Sequence, residues 1–148
     1  MSIAVDVSRE DVRIAVSEER VREIVRLVCR RERVKDALIS VVFVGNSRMA
    51  SMNREFLGHC GATDVITFAL GAVATDGRGK KGIVGDIYIA PEVARRNARS
   101  NGVGVRSELV RLVVHGTLHV LGYTHEEGEG RTRGRMWRRQ EALVAAIV

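Results

Sequence analysis

Three of the four histidines of this chain lie in one short segment, from His115 to His125. His115 and His119 are four residues apart, so on a helix they project from the same face about one turn apart. Gly122 follows them and lets the backbone turn without a Cβ penalty, which can carry His125 back toward the pair. Three neutral imidazoles with a fourth position open for water are the usual arrangement of a catalytic zinc ion. The spacing therefore predicts one zinc ion bound by His115, His119 and His125.

This spacing is also the layout of the metzincin zinc site, in which the residue after the first histidine is the glutamate general base. Here that residue is Gly116, which argues against a peptidase of the metzincin type. A structural zinc site is the main competing interpretation, and it needs a fourth protein ligand. His59 and Cys60, in a predicted loop, are the candidates for that ligand.

The flanking segments predict the elements that hold these histidines. Apolar alternation and short apolar runs predict strands, and apolar residues at helical spacing predict helices. The expected strands are Ile3 to Val7, Leu38 to Val44, Val65 to Phe68 and Gly85 to Ile89. The first expected helix begins after Ser17 as its N-cap, and the others run from an Asn46-Ser47 cap to Phe56, from Pro91 to Arg99, from Ser107 to Leu121 and at the end of the chain. The segment from Thr75 to Gly82 is expected to be an exposed loop. We expect a single α/β domain over residues 1–148, with a small mixed sheet of about four strands, helices packed on it, and the metal site on a helix and the loop after it.

The composition limits the compartment and the partners. The formal net charge of +6 is compatible with a polyanionic partner, because basic side chains bind phosphate backbones largely regardless of sequence. No apolar run approaches the roughly 18 residues of a membrane span, and the N-terminus lacks the features of a secretory signal. We therefore expect a cytoplasmic protein with no membrane partner, and Cys29 and Cys60 as free thiols.

The histidine segment closely resembles the signature of the YbeY family of zinc-dependent endoribonucleases. Other family positions are matched in order by Asn53, the Thr63 to Phe68 segment, the Gly85 to Ile87 strand, Met136 and Glu141. The resemblance implies one domain with one zinc held by the three histidines, and hydrolysis of single-stranded RNA. It further implies maturation of ribosomal RNA, especially the 3′ end of the small-subunit RNA, and ribosome quality control. The implied partners are ribosomal RNA, the small ribosomal subunit and its proteins.

Three positions depart from the family pattern. Thr124 replaces an aspartate before the last histidine, which removes a carboxylate that could orient a ligand. Ala62 replaces a proline, a milder change in loop stiffness. Leu57 replaces an arginine thought to contact RNA or assist catalysis, and Arg54 lies one helical turn earlier. The last departure puts the catalytic rate in doubt and leaves the metal site unaffected.

The predicted mechanism is metal-assisted phosphodiester hydrolysis, in which the zinc-bound water becomes the nucleophile or the metal polarises the phosphoryl oxygen. The sequence does not identify the general base. Asp64, Asp86 and Arg54 are the candidate catalytic residues, and the competing role of the two aspartates is hydrogen bonding to backbone amides of loops. Candidate RNA contacts are Arg78, Lys80 and Lys81, a group of arginines near the C-terminus (Arg131, Arg133, Arg135, Arg138 and Arg139), and Trp137, for which packing in the core is the alternative.

Two other functions stay open at this stage. One is a ribosome-associated RNA-binding protein whose zinc is mainly structural, and the residue that favours it is Leu57. The other is a zinc hydrolase that acts on a non-RNA substrate such as a peptide, against which Gly116 counts.

Overall fold

The computed structural model describes residues 2–74, 79–124 and 134–147. Within these ranges the chain forms β1 (Ser2–Arg9), α1 (Glu18–Arg31), β2 (Asp36–Phe43), α2 (Asn46–Leu57), β3 (Val65–Ala74), β4 (Lys81–Ile89), α3 (Pro91–Asn101), α4 (Val105–Val120) and α5 (Arg135–Ile147). The predicted α/β fold with a small mixed sheet is confirmed.

The four described strands form one sheet in the order β1-β2-β4-β3. β1 pairs with β2 and β2 pairs with β4 in parallel, whereas β3 and β4 form an antiparallel hairpin. The hairpin register places Val65 opposite Ile89 and Ala74 opposite Lys81. Because a strand rises about 3.3 Å per residue, the two ends of this hairpin lie about 30 Å apart.

One helix, α4, organises the core. It packs against β3 and β4 of the sheet and against α1, α3 and α5. Apolar side chains are buried on nearly all of its sides, as expected for a helix that runs through the interior. One face of the sheet meets this core: Ile39, Val41 and Phe43 of β2 are fully buried on it, whereas Leu38, on the opposite face of the strand, is half-exposed. The histidine-bearing helix therefore packs against five other elements of the fold.

Several predicted boundaries are correct and others need revision. Ser17 caps α1 as predicted, because its Oγ accepts a hydrogen bond from the Arg20 amide at 3.1 Å. The predicted Asn46-Ser47 cap is wrong: Gly45 occupies the N-cap position of α2, and Asn46 already lies inside the helix. β4 begins at Lys81, within the segment predicted as loop, and residues 75–78 of that loop lie outside the described residues.

Within the described ranges, no helix has the length and apolar character needed to span a bilayer.

Candidate metal centre and its cleft

Two glycines set the distance between α4 and the sheet. A Cβ atom added at Gly116 of α4 would lie 2.6 Å from Ile87 Cγ2, and one added at Gly85 of β4 would lie 2.5 Å from Val120 Cγ1. Neither space can hold another carbon, because real Cβ contacts are not shorter than 3.0 Å. Gly116 therefore faces the sheet, and His115 before it projects about 100° around the helix axis, away from Ile87.

The side of α4 that carries His115 forms one wall of a cleft of about 750 Å³. The other walls come from the C-terminal end of α2, the segment that enters β3, the end of α3 and the first half of α5. The polar groups in the lining are Thr63, Asp64, Thr67, Asn101, Glu108, Arg111, His115, His119 and Gln140, and the apolar ones are Leu57, Val65, Ile66, Leu112, Met136 and Trp137. The cleft is large enough for a nucleotide-sized ligand and contains two of the three predicted zinc ligands.

The orientation of His119 is fixed by the backbone that follows the helix. His119 Nδ1 lies 2.9 Å from the carbonyl oxygen of Tyr123. A carbonyl oxygen only accepts hydrogen bonds, so Nδ1 carries the proton and the ring electron pair is on Nε2. Gly122, with a φ of 108°, provides the turn that brings the Tyr123 carbonyl back to the ring.

His115 is oriented by a chain of side chains between α4 and α5. Its Nδ1 lies 2.7 Å from Gln140 Oε1, and Gln140 Nε2 donates to Glu141 Oε2 at 3.1 Å. Arg111 holds the same carboxylate, with Nε at 2.9 Å from Oε2 and Nη2 at 2.8 Å from Oε1. Because the Glu141 carboxylate accepts from the Gln140 amide nitrogen, the amide oxygen must face His115, so His115 Nδ1 also donates and its electron pair is on Nε2. We call this chain of Arg111, Glu141, Gln140 and His115 the α4–α5 relay.

The two histidines fit a zinc ion. Metal-binding imidazoles usually donate their second ring nitrogen to a carbonyl or carboxylate acceptor, and both His115 and His119 do so. Their ring centroids are 4.6 Å apart, close to the roughly 5 Å expected for two imidazoles on one tetrahedral zinc. The third predicted ligand, His125, lies outside the described residues. In the described ranges no group of three His, Cys, Asp or Glu residues is arranged to hold a metal ion.

A second cluster anchors the backbone that orients His119. The Tyr123 hydroxyl donates to Glu32 at the end of α1, and Arg139 of α5 donates to the same carboxylate at 2.7 Å. The hydrogen bond to Glu32 is the main reason why the pKa of Tyr123 is raised. The Arg135 guanidinium stacks over the Tyr123 ring at 5.3 Å. Three helices thus meet at the residue whose carbonyl fixes a predicted ligand.

The pKa values of three charged side chains in and beside the cleft are shifted by burial or by hydrogen bonds. Burial raises the pKa of Glu108, which lies on the same face of α4 as His115 and is 8% exposed. In the relay, the hydrogen bonds with Arg111 lower the pKa of Glu141, and those with Glu141 raise the pKa of Arg111. The Arg111–Glu141 pair therefore stays ionised near neutral pH, whereas Glu108 takes up a proton more readily than an ordinary glutamate.

The predicted catalytic candidates separate into one residue that lines the cleft and two that do not. Asp64 lines the cleft, and its carboxylate accepts from Asn97 Nδ2 at 3.3 Å and from Thr63 Oγ1 at 3.5 Å. Asp86 was expected at a strand end, but it lies inside β4, where it accepts from Ser40 Oγ at 2.9 Å. Arg54 is exposed on α2 and is not a lining residue of the cleft.

The predicted RNA contacts are dispersed over the molecule. Arg78, Arg131 and Arg133 lie outside the described residues. Lys80 pairs with Asp36 at 3.2 Å, and Lys80 and Lys81 lie at the end of the hairpin that is about 30 Å from Val65 in the cleft wall.

Other sequence candidates have clear positions. Trp137, for which core packing was the alternative, is 37% exposed and lines the cleft. His59 and Cys60, the candidate ligands of a closed zinc site, are exposed and are not lining residues of the cleft.

The polar residues of the cleft that the sequence analysis did not single out include Gln140, Arg111 and Glu108. A signal for Gln140 was present, because it lies one helical turn after Met136 on the apolar side of α5, where an isolated polar residue needs a partner. Arg111 and Glu108 likewise share the face of α4 that carries His115, at offsets of four and seven residues.

The solved structures provide a comparison of the fold. The solution structure of a Thermotoga maritima protein superimposes with a TM-score of 0.62, covers 97% of this chain and 88% of that chain, and is 23% identical in sequence. At this identity the likeness supports the fold.

Comparison of the sequence with known proteins points to one family. A family model described as Endoribonuclease YbeY matches residues 3–148. Proteins named Endoribonuclease YbeY are 39% identical in Bacillus licheniformis, over 84% of each chain, and 37% identical in Chlorobaculum tepidum, over 78% of this chain and 80% of the relative. A further one, from an Anaeromyxobacter species, is 39% identical, but the match spans 55% of its length. With a match over nearly its whole length, this chain belongs to the YbeY family of endoribonucleases.

Proposed function

We propose that this protein is a zinc-dependent endoribonuclease that cleaves single-stranded RNA at the cleft between α4 and α5. Membership of the YbeY family supports the reaction class. The observation that carries the metal dependence is the shared tautomer of His115 and His119, whose Nδ1 atoms both donate to fixed acceptors. In this arrangement the Nε2 atom of each ring carries the electron pair that would bind the metal, and His125 is the proposed third ligand.

The residues of the chain prepare the site in three ways. Gln140 and the Tyr123 carbonyl hold the two imidazoles in place, which reduces the entropy lost when a metal binds. Trp137 is partly exposed on the wall of the cleft, where a base can stack. Asp64 is the carboxylate we propose for accepting or orienting a proton near the phosphate. A bound zinc ion would supply a Lewis acid and, near neutral pH, a hydroxide nucleophile.

The biological setting is proposed on the family resemblance. We propose that the substrate is ribosomal RNA, especially the 3′ end of the small-subunit RNA, and that the protein acts in ribosome quality control. The small ribosomal subunit and its proteins would then be partners, and the cytoplasm the compartment. The net charge of +6 favours association with RNA.

The test is cleavage of a ribosomal RNA fragment that contains the small-subunit 3′ end, by purified protein loaded with zinc. His119→Ala removes one ligand, and the expected result is loss of both bound zinc and cleavage. His59→Ala is the matched control, because this histidine is exposed and outside the cleft lining, and it should retain both. Absence of cleavage by the zinc-loaded wild type, or full cleavage by His119→Ala, would contradict the proposal.

The same preparations distinguish the two other functions. A protein with a structural zinc would bind the RNA fragment without metal-dependent cleavage, and Leu57 in the cleft wall is the residue consistent with such a role. A hydrolase of peptides would cleave a peptide substrate and leave the RNA intact. Gly116 opposes the second function, because the position of the peptidase base faces Ile87 in the core.

A further inference from the structure

We propose that Arg111 is the RNA-phosphate contact of the cleft, and that it binds the phosphate next to the one held at the histidine centre. This inference rests on the proposed function, since it assigns a substrate contact within the same cleft. It concerns a residue that the sequence analysis did not single out.

The first argument is position. Arg111 precedes His115 by four residues, so it lies one helical turn away on the same face of α4, and both line the cleft. One turn is about 5.4 Å along the helix axis, similar to the separation of neighbouring phosphates in an extended strand. A strand with one phosphate at the histidines therefore brings a second phosphate within reach of the Arg111 guanidinium.

The second argument is charge. Among the described residues that line the cleft, Arg111 is the sole lysine or arginine, whereas Asp64 and Glu108 contribute carboxylates. Beside the proposed zinc ion, a fixed positive charge near those carboxylates favours the entry of a polyanion into this cleft. Of the cations predicted from the sequence, Lys80 and Lys81 do not supply it, since they are at the far end of the hairpin.

The third argument is the geometry of the guanidinium. Glu141 occupies Nε and one N–H of Nη2 from one side, which leaves the two N–H groups of Nη1 directed away from that carboxylate. The side chain keeps 30% of its surface exposed while it makes both bonds. An arginine held in this way is oriented before the substrate arrives, so little rotamer entropy is lost when a phosphate binds.

The test separates a phosphate contact from a purely structural role of Arg111 in the relay. RNA binding is measured by fluorescence anisotropy with a labelled single-stranded RNA oligonucleotide over a range of salt concentrations. All proteins are loaded with zinc and measured in the first minutes after mixing, and gel electrophoresis confirms that the RNA is still intact. We compare the wild type with Arg111→Gln, Arg111→Lys and Glu141→Gln, and circular dichroism confirms that each variant is folded.

The expected result is specific to the charge of Arg111. Arg111→Gln should weaken binding by about 10-fold or more and reduce the slope of log K against log salt by about 0.7, the value for one phosphate contact to a single strand. Arg111→Lys should keep the slope, because it keeps the charge. Glu141→Gln should also keep the slope, because it leaves the positive charge of Arg111 in place and changes only the group that orients the guanidinium.

Two results would overturn the assignment. One is an unchanged salt slope in Arg111→Gln, and the other is an equal reduction of the slope in Arg111→Gln and Glu141→Gln, which would show that the ion pair matters only for structure. Because this binding assay requires no cleavage, its outcome is separate from that of the nuclease test. If the wild type fails to cleave RNA but Arg111→Gln reduces the salt slope, the proposed reaction is wrong and the phosphate contact of Arg111 is still supported.

Discussion

Because α4 approaches β4 closely at Gly116, we predict that the effect of Gly116→Ala on the free energy of unfolding changes sign with the residue at position 87. In Gly116→Ala the new Cβ would start 2.6 Å from Ile87 Cγ2 and 3.3 Å from Cγ1 and Cδ1. Ile87 is fully buried, and Cγ2 is bonded directly to its Cβ, so it cannot swing away as the end of a long side chain can. Overpacking of this kind costs about 1–3 kcal/mol. Alanine in a helix recovers about 1 kcal/mol relative to glycine.

The net effect of Gly116→Ala is therefore a loss of about 0–2 kcal/mol in the free energy of unfolding. For a chain of this size each kcal/mol corresponds to a decrease of about 2–4 °C in Tm. Ile87→Ala on its own should cost about 2–5 kcal/mol, because it leaves a cavity. With that cavity present, the alanine at 116 meets no obstacle, so the same Gly116→Ala change should now stabilise the protein by about 1 kcal/mol.

The reversal of sign is measured by urea unfolding of the wild type, Gly116→Ala, Ile87→Ala and the double variant, which gives the effect of Gly116→Ala on the free energy of unfolding with and without Ile87. Ile87→Val is the matched control, because valine keeps the carbon at the 2.6 Å contact and loses only the terminal methyl group. In the Ile87→Val background, Gly116→Ala should still be unfavourable or neutral. An equal cost of Gly116→Ala in all backgrounds would refute the packing argument, and the cause would then have to be sought in the helix backbone.

Three other predictions concern Gln140, Glu108 and the two cysteines. Gln140→Leu removes the acceptor of His115 Nδ1 and should weaken zinc binding about 10–100-fold in a chelator competition, whereas an unchanged affinity would show that the relay does not orient the ligand. Burial raises the pKa of Glu108, so its contribution to stability is fully present below its unfolded pKa of about 4.3 and is lost as the pH rises through its folded value. Glu108→Gln should therefore be at least as stable as the wild type at pH 7 and should lose this advantage near pH 4 in urea unfolding; the opposite order would contradict the assigned direction. Burial raises the pKa of the Cys29 thiol to about 11, so a thiol reagent should label the exposed Cys60 in the native protein and Cys29 only on unfolding, and rapid labelling of both would be inconsistent with the packed core.

The comparison of sequence and structure shows which features follow from local pattern. The pairing of His115 and His119 on one face follows from helical geometry, and the strands follow from their apolar patterns. Gly122 and its positive φ were similarly predictable, because glycine is favoured where a helix ends and the backbone turns. Such features depend on interactions within a few residues, which a sequence displays directly.

The features that sequence analysis missed depend on contacts between distant segments. The bond between His115 and Gln140 joins residues 25 apart in the chain, and no helical or strand period relates them. Asp86 was expected at the end of a strand because the apolar run begins near Gly85, but pairing with β3 extends β4 back to Lys81 and places the carboxylate within the sheet. Sheet pairing and helix docking thus decided both positions.

The orientation of Gly116 also restricts where the chemistry of the cleft can originate. Because the residue after His115 faces the core at Ile87, no side chain at that position can act on a substrate at the histidines. Groups contributed by α4 must instead come from positions three or four residues apart on the ligand face, such as Glu108 and Arg111. The cleft carboxylate outside α4 is Asp64, among the lining residues that the structure describes. A glycine beside His115, the proposed metal ligand, therefore has two consequences: it lets the helix approach the sheet closely, and any side chain that transfers a proton in the proposed reaction comes from another position in the cleft.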